Sequence, residues 1–393
     1  MNKKIIILGA GIYQTPLIKK AKELGLYTIV ISIEGNYPGF EFADKIYYID
    51  TTDKESVLKV AVSEKIDAIC TTGTDVAIVT IGYVCEKLNL TGISELSGVL
   101  STDKLPMKNA FEEFGVRTAK YRKVISKEES YKVFKELTPP LMFKATDTSG
   151  SRGVIKVENY NEIDDAFEYA YSITSKSYIL IEEFIDGVEF GAQSVVCNGE
   201  IKFILPHGDI LYHGKTDVPI GHYVPYNLPS DEIKKDIANQ INLTIKALKL
   251  DNCALNFDFI LSNNKIYVLE VGARVGATCL AEQVGNHYNI NYYEYIILMS
   301  LGSVPDVDFS VSKSNASLLF ISHYDGIFNN LDLDIKKYDI VEKVIDYNKG
   351  DKIKKFEVGP DRIGHIIIEY NTELDILTTL DQLQKDYKVI IDN

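Results

Sequence analysis

The chain has 393 residues, 46% of them apolar and 25% charged, an ordinary balance for a soluble globular protein of two or three domains. Its 42 Lys and Arg against 56 Asp and Glu leave a formal charge of −14, which argues against nucleic acid or an anionic membrane as the main partner. Five cysteines without a C-x-x-C pair carry no zinc signature and read as buried free thiols in a reducing compartment. Gly9 and Gly11 cut the first apolar run short of the ~7–15 residues of a signal. No apolar stretch approaches the ~20 residues of a membrane span, so a cytoplasmic protein is expected.

From Lys4 to about Ile93 strands and helices alternate. Ile5-Ile6-Ile7-Leu8 reads as a parallel strand buried on both faces, and Pro16–Leu24 as a helix closed by Gly25. Tyr27–Ile33, Lys45–Ile49 and Ala68–Cys70 follow as strands, with helices over Glu55–Lys65 and Asp75–Leu88. That alternation predicts a doubly wound parallel sheet. Past Thr102–Pro106 the pattern becomes a mixture of hairpins and helices. Ser230 can cap a helix that carries Ile233, Ile237, Ile241 and Ile245 on one face. A loose stretch from Leu301 to Ser312 leads to a strand-rich C-terminal unit. The expected division is a Rossmann-like unit over 1–103, an α+β unit over 104–300, and a small α+β unit over 301–393.

Four segments carry chemistry. Gly9-Ala10-Gly11 resembles the start of a dinucleotide fingerprint, but Gln14 stands where the third glycine belongs. A tight βα turn explains it as well as a nicotinamide cofactor does. Next, strand-like Leu141-Met142-Phe143-Lys144 runs into Thr148-Ser149-Gly150-Ser151-Arg152-Gly153. Small residues let backbone N–H groups approach a phosphate, and a lysine before the loop supplies fixed positive charge. A flexible polar hairpin tip is the bland alternative. Third, Ile181-Glu182-Glu183-Phe184-Ile185-Asp186-Gly187-Val188-Glu189 is a strand ending in paired acids. Fourth, in Leu255-Asn256-Phe257-Asp258-Phe259 alternation places Asn256 and Asp258 on one face.

A turn centred on Asn263 would set Asp258 opposite Val268 and Asn256 opposite Glu270. Asp258 and Glu270 would then lie diagonally, ~7–8 Å apart, close enough to share a cation. Two carboxylates and an amide in mutual reach invite positive charge, and their hard oxygens suit Mg²⁺ or Mn²⁺. Two acids on a solvated strand face is the alternative. Arg274, leaving this strand beside Gly276, is placed to hold a carboxylate or a transferring phosphoryl group.

The order of these elements resembles the ATP-grasp superfamily over roughly residues 1–300, in its carbamoyl-phosphate-synthase-like and phosphoribosylglycinamide-synthetase-like branch. The resemblance implies ATP and Mg²⁺ (or Mn²⁺) as cofactors, with Lys104 and Lys144 as nucleotide and phosphate lysines. Ser149, Gly150, Ser151 and Gly153 would form the loop over the phosphates. Glu182 would meet the adenine amino group, the backbone of Glu183, Phe184 and Ile185 would border it, and Glu189 would take the ribose. Asp258 and Glu270 would ligate metal, and Arg274 would steady an acyl phosphate. Members of this branch usually carry asparagine where this chain has Gly272, and Asn256 is expected to supply the missing oxygen.

The implied reaction is ligation of a small carboxylate to an amine acceptor through an acyl phosphate, with Lys144 and Arg274 catalytic and the acceptor near Gly11, Thr74 and Arg274. A bicarbonate or carbamoyl-type carboxylase shares the same ATP residues. A non-catalytic nucleotide-binding module is the other alternative. His207, His213 and His222 lie between the loops, where one could act on the nucleophile's proton or simply hydrogen-bond. A homodimer is an expectation of the resemblance alone.

Overall fold

The computed structural model describes residues 3–148, 152–214, 217–370 and 376–392. The N-terminal part alternates as its sequence dictates: β1 (Lys4–Leu8), α1 (Thr15–Glu23), β2 (Tyr27–Ser32), β3 (Lys45–Tyr48), α2 (Lys54–Glu64), β4 (Ala68–Cys70) and α3 (Ile78–Leu88). The strands pair in parallel in the order β3-β2-β1-β4. Helix α3 starts later than its apolar pattern suggests, because residues 75–77 form the turn that leaves β4. A short helix, α4 (Glu95–Leu100), leads to α5 (Lys104–Phe114). Asp103 caps α5 by accepting from Leu105 N at 3.1 Å, and Gly115 ends it in the left-handed region at φ 73°.

A four-stranded antiparallel sheet follows, built from β5 (Tyr121–Val124), β6 (Leu141–Lys144), β7 (Val154–Val157) and β8 (Ile179–Glu183) in the order β5-β8-β6-β7. Two helices, α6 (Lys127–Glu136) and α7 (Ile163–Ile173), cover it, and Phe143, Ile181 and Phe167 form its own apolar core.

The largest sheet has eight strands. Its first part is β9 (Val188–Cys197), β10 (Glu200–His213), β11 (Asp217–Val224), β12 (Cys253–Ser262) and β13 (Lys265–Gly272), with α8 (Asp231–Ala247) between β11 and β12. Ser230 caps α8 through Ile233 N, and Ile233, Ile237 and Ile241 are buried, as the periodicity predicts. Two helices, α9 (Leu280–Tyr288) and α10 (Tyr292–Ser300), precede β14 (Asn315–Phe320), β15 (Gly326–Asp332), β16 (Ile340–Ile345), β17 (Lys352–Ile353), β18 (Gly364–Glu369), α11 (Ile376–Asp386) and β19 (Lys388–Asp392). Strands β14, β18 and β16 extend the large sheet, whose full order is β13-β12-β9-β10-β11-β14-β18-β16, while β17, β15 and β19 form a small sheet of their own.

The β12–β13 hairpin corrects the register expected from the sequence. Asn263 and Asn264 both adopt left-handed backbone, φ 48° and 56°, which closes a two-residue turn and pairs Ser262 with Lys265. Continued unbroken, that register would set Glu270 opposite Phe257, on the core face. A bulge at Leu269 shifts the pairing by one residue, so that Asp258 faces Glu270 directly and Asn256 faces Gly272.

Candidate active site

Helix α5 presents two lysines one turn apart, on the same face. Lys104 Nζ reaches Glu270 Oε2 at 2.8 Å and donates to the Thr148 carbonyl at 2.9 Å. Lys108, only 1% exposed, lies 3.4 Å from Glu182 Oε2 and also donates to Thr118 Oγ1. Lys144, at the end of β6, donates to the same Glu182 oxygen at 2.9 Å. Two cations thus hold one buried carboxylate. Burial alone would raise the Glu182 pKa, but Lys108 and Lys144 pull it down to about 2. Burial in turn lowers Lys108 to about 8, against the attraction of Glu182. Glu182 Oε1 is buried without a partner, free to accept from a ligand.

The acids of the hairpin form the opposite wall. Burial first and the facing Glu270 second push the Asp258 carboxyl well above its ordinary range. Glu270 goes the other way: burial opposes its charge, but Lys104 holds it ionised. Asn256 lies beside them, its amide nitrogen 3.4 Å from Asp258 Oδ1, while its own oxygen accepts from Gln193 Nε2 at 2.6 Å. That oxygen keeps a second lone pair, so the bond from Gln193 leaves Asn256 able to face a cation.

Gly272 has a steric reason. A Cβ there would come within 2.8 Å of Asp75 Oδ1 and 3.3 Å of the Arg274 guanidinium carbon. That space is taken by the Asp75–Arg274 ion pair, 2.6 Å, which ties the loop after β4 to the strand end. Arg274 Nε and Asp75 Oδ1 are buried without partners.

The same corner gathers the expected acceptor residues. Gly11 N donates to Gln14 Oε1 at 3.0 Å, and Gln14 Nε2 donates to the Thr72 carbonyl at 2.5 Å. Gly73 N donates to Val275 O at 3.2 Å. Gln14, the residue that breaks the dinucleotide fingerprint, thus braces the Gly9–Gly11 turn against the loop after β4. Thr74 sits half-buried in that loop. A small cleft here is lined by Ile12, Tyr13, Thr72, Thr278, Glu282 and Arg362.

Of the phosphate loop, Ser149, Gly150 and Ser151 lie outside the described residues. Gly153 is described, at φ 73°, and its carbonyl accepts from Ala145 N at 2.8 Å. A Cβ there would stand 2.6 Å from that of Ala145, so only glycine fits. At the end of β8, Glu183 N donates to Lys120 O and Phe184 N to Pro140 O, both at 2.9 Å. Those two N–H groups are engaged, whereas Ile185 has no backbone bond to either segment. Glu189 is exposed on β9, paired with Ile260. His213 lies apart on the exposed β10–β11 hairpin, 2.8 Å from Asp217.

Sequence reasoning missed Lys108, Asp75, Gln193 and Asp209. The four-residue step from Lys104 to Lys108 was a visible signal. Asp209 accepts from both His207 Nδ1 (2.9 Å) and His222 Nδ1 (2.6 Å), a cluster whose ligand-type atoms lie within 4.8 Å of one another.

Comparison with known proteins fits this geometry. Residues 102–278 match the family described as phosphoribosylglycinamide synthetase, ATP-grasp (A) domain. The crystal structure of phosphoribosylglycinamide synthetase from Anaerococcus prevotii is 34% identical, covers 100% of both chains and superposes with a TM-score of 0.84. The chain is an ATP-grasp protein of the phosphoribosylglycinamide-synthetase-like branch. Among curated ATP-grasp relatives, the phosphoribosylamine–glycine ligase of Fusobacterium nucleatum is 24% identical over 70% of this chain and 68% of its own length. The alanine–anticapsin ligase of Bacillus subtilis is 27% identical over 58% of this chain and 53% of its own. The match thus spans about two thirds of the first relative and about half of the second. This ATP-grasp chain is an ATP-dependent ligase, and no helix among its described residues is long and apolar enough to cross a membrane.

Proposed function

We propose that the chain activates the carboxylate of glycine as an acyl phosphate and transfers it to the amine of phosphoribosylamine. The observation that carries this reading is the pair Asp258 and Glu270 facing Lys104, Lys144 and Glu182. It is joined to an end-to-end likeness to phosphoribosylglycinamide synthetase.

In this reading Lys104 and Lys144 exchange their carboxylate partners for phosphate oxygens when ATP enters. Glu182 Oε1 accepts from the adenine amino group, Glu183, Phe184 and Ile185 line the base, and Glu189 takes the ribose. The donor carboxylate attacks the γ-phosphorus, so rate comes from positioning and charge stabilisation, without a protein nucleophile. Arg274, held by Asp75, steadies the acyl phosphate at the corner formed by Gly11 and Thr74. Asp258 and Glu270 fit a divalent cation, since both offer hard oxygens on one face and the raised Asp258 carboxyl marks negative charge in need of relief. Bound there, Mg²⁺ or Mn²⁺ supplies Lewis-acid charge neutralisation to the triphosphate. Asn256 can join through the second lone pair of its amide oxygen while Gln193 holds the first.

We read the chain as three units, 1–103, 104–300 and 301–393, in a cytoplasmic homodimer. The sheet β3-β2-β1-β4 and the five buried free cysteines support the first unit and the location respectively. Sedimentation of the purified protein at micromolar concentration tests the dimer.

A second reading is ligation of one amino acid to another, favoured by the 27% identity to an alanine–anticapsin ligase. One assay separates the two. ADP release from Mg-ATP and glycine is measured with phosphoribosylamine, with an amino-acid pool, or with bicarbonate as the co-substrate. Stimulation by phosphoribosylamine alone supports the first reading. Stimulation by the amino-acid pool supports the second, and dependence on bicarbonate would replace both with a carboxylase.

A further inference from the structure

Four of the five cysteines have surroundings that suppress their chemistry. Burial pushes the thiols of Cys70 and Cys85 up to about 12, and it raises those of Cys197 and Cys253 too. A thiol held protonated in apolar surroundings is inert. Cys279 is placed differently. It stands at the start of α9 with φ 68°, directly after Thr278 at φ 55°, two successive left-handed residues that are not glycine. Such backbone is costly and persists only where its surroundings hold it. The sulfur does not cap the helix. Cys279 instead lines the cleft at the acceptor corner, together with Tyr13, Thr72 and Arg362.

Two cations face the thiol. Arg362 lines the same cleft and is fixed by Asp346 at 2.7 Å. His365, on β18, has a side chain only 5% exposed, and neither ring nitrogen has a well-aligned hydrogen bond. Its neighbours are the Cys279 thiol and Glu342, the latter at 3.6 Å. Burial alone would strip the ring of its proton, but charge at Cys279 and at Glu342 holds it there, up to about 10. The other titratable groups at this corner are Glu282, which accepts from Tyr293 at 2.7 Å, and Tyr13, whose hydroxyl burial pushes up. Cations beside a sulfur at a helix N-terminus stabilise its thiolate. Behind it Cys279 belongs to the apolar cluster that includes Ile220, Leu318 and Ile366. The cleft is therefore the way to the sulfur, and its free space of about 280 Å³ admits a small reagent.

We infer that Cys279, paired with His365, is a reactive thiol whose oxidation by a hydroperoxide closes the cleft to the amine acceptor. The closing step rests on the ligase reading above, and the reactivity does not. The thiolate attacks one oxygen of the hydroperoxide. The S–O bond forms, the O–O bond breaks, and the departing hydroxide or alkoxide takes the His365 proton and leaves as water or alcohol. Sulfur loses two electrons and the peroxide gains them, which leaves a sulfenic acid beside a neutral imidazole. A hydroxyl is costly to bury in the apolar cluster without a partner, so the new oxygen projects into the cleft beside Thr72 and Arg362. A small thiol reductant reverses the step through a mixed disulfide.

The full chain is treated with limiting iodoacetamide, and labelling of all five cysteines is followed by peptide mass spectrometry. Cys279 should react roughly 10-fold faster than each of the other four. In His365→Gln its rate should fall roughly 10-fold while the other four do not slow, whereas a loosened fold would speed all five. Arg362→Gln should show the same selective fall, and it carries the test if His365→Gln does not fold. Hydrogen peroxide should cut acceptor-dependent ADP release in the wild type, dithiothreitol should restore it, and Cys279→Ser should keep its own untreated rate. Labelling of Cys279 no faster than of the other four would overturn the inference, as would equal peroxide losses in the wild type and Cys279→Ser. Wild-type protein that labels selectively at Cys279 but releases no ADP with any acceptor would refute the ligase reading and the closing step, and leave the reactive thiol standing.

Discussion

The two walls of the cleft are built on opposite electrostatic principles. The wall from α5 and the four-stranded sheet holds the buried Glu182 between Lys108 and Lys144, with Lys104 beside them. The wall from the eight-stranded sheet gathers Asp258, Glu270 and Asp209, with Asp75 beside them. Their charges meet across the cleft through Lys104 and Glu270. The lesson is that cations on one side and carboxylates on the other satisfy each other, and in the proposed function a triphosphate with its cations re-pairs both. Buried charge is tolerated here because each side serves as the other's counter-ion.

The most damaging way to break this arrangement is to neutralise the acidic wall. The Asp258→Asn/Glu270→Gln double variant should lower ADP release on the order of 10³-fold while the protein stays folded, by turnover assay alongside circular dichroism. On the basic wall, Lys104→Met should reduce kcat roughly 10²-fold, because the proposed function puts its charge on the phosphates. Lys108→Met should act chiefly on stability. It leaves Glu182 with one cation instead of two, and a urea titration should show a loss of roughly 3 kcal/mol.

The pH dependence sharpens the same contrast. Glu182 has a folded pKa of about 2, below its ordinary 4.5. Its contribution is therefore fully present above pH 4.5 and is lost as pH falls toward 2. Glu182→Gln should flatten that acid limb of the stability curve, and an unchanged limb would show that the two lysines do not hold the carboxyl down. Gly272→Ala should be milder, costing about 1–2 kcal/mol through crowding of Asp75 and Arg274. Its kinetic mark should be a raised KM for the carboxylate donor. Ser230→Ala, on α8 away from both walls, should lower stability by about 1 kcal/mol and leave turnover alone.

Much of this was readable from local pattern. The βα alternation of the first ninety residues, the cap of α8 by Ser230, and the shared face of Asn256 and Asp258 all follow from periodicities of 3.6 and 2. Of the residues the superfamily resemblance singled out, Lys104, Lys144, Asp258, Glu270 and Arg274 lie near enough to one another to interact electrostatically. What the sequence hid depends on long-range pairing. Asp209 and His222 become neighbours only because β10 and β11 pair, and Gln193 reaches Gly276 only because β9 lies beside β12. The strands after residue 314 looked like a separate unit, yet β14, β16 and β18 join the central sheet. Register in the β12–β13 hairpin was misjudged because a second left-handed asparagine shortens the turn and no residue type announces the bulge at Leu269.

What holds the two acids on one face is that bulge, and not the residue count of the hairpin. Straightening the ladder with Leu269 retained would set Leu269 opposite Asp258 and turn Glu270 toward the apolar core beneath the sheet. Deleting Leu269 would instead leave a regular ladder with the two acids still opposed. For relatives of this protein, hairpins that differ by one residue between 259 and 269 can therefore present the same acid pair, one with the bulge and one without it.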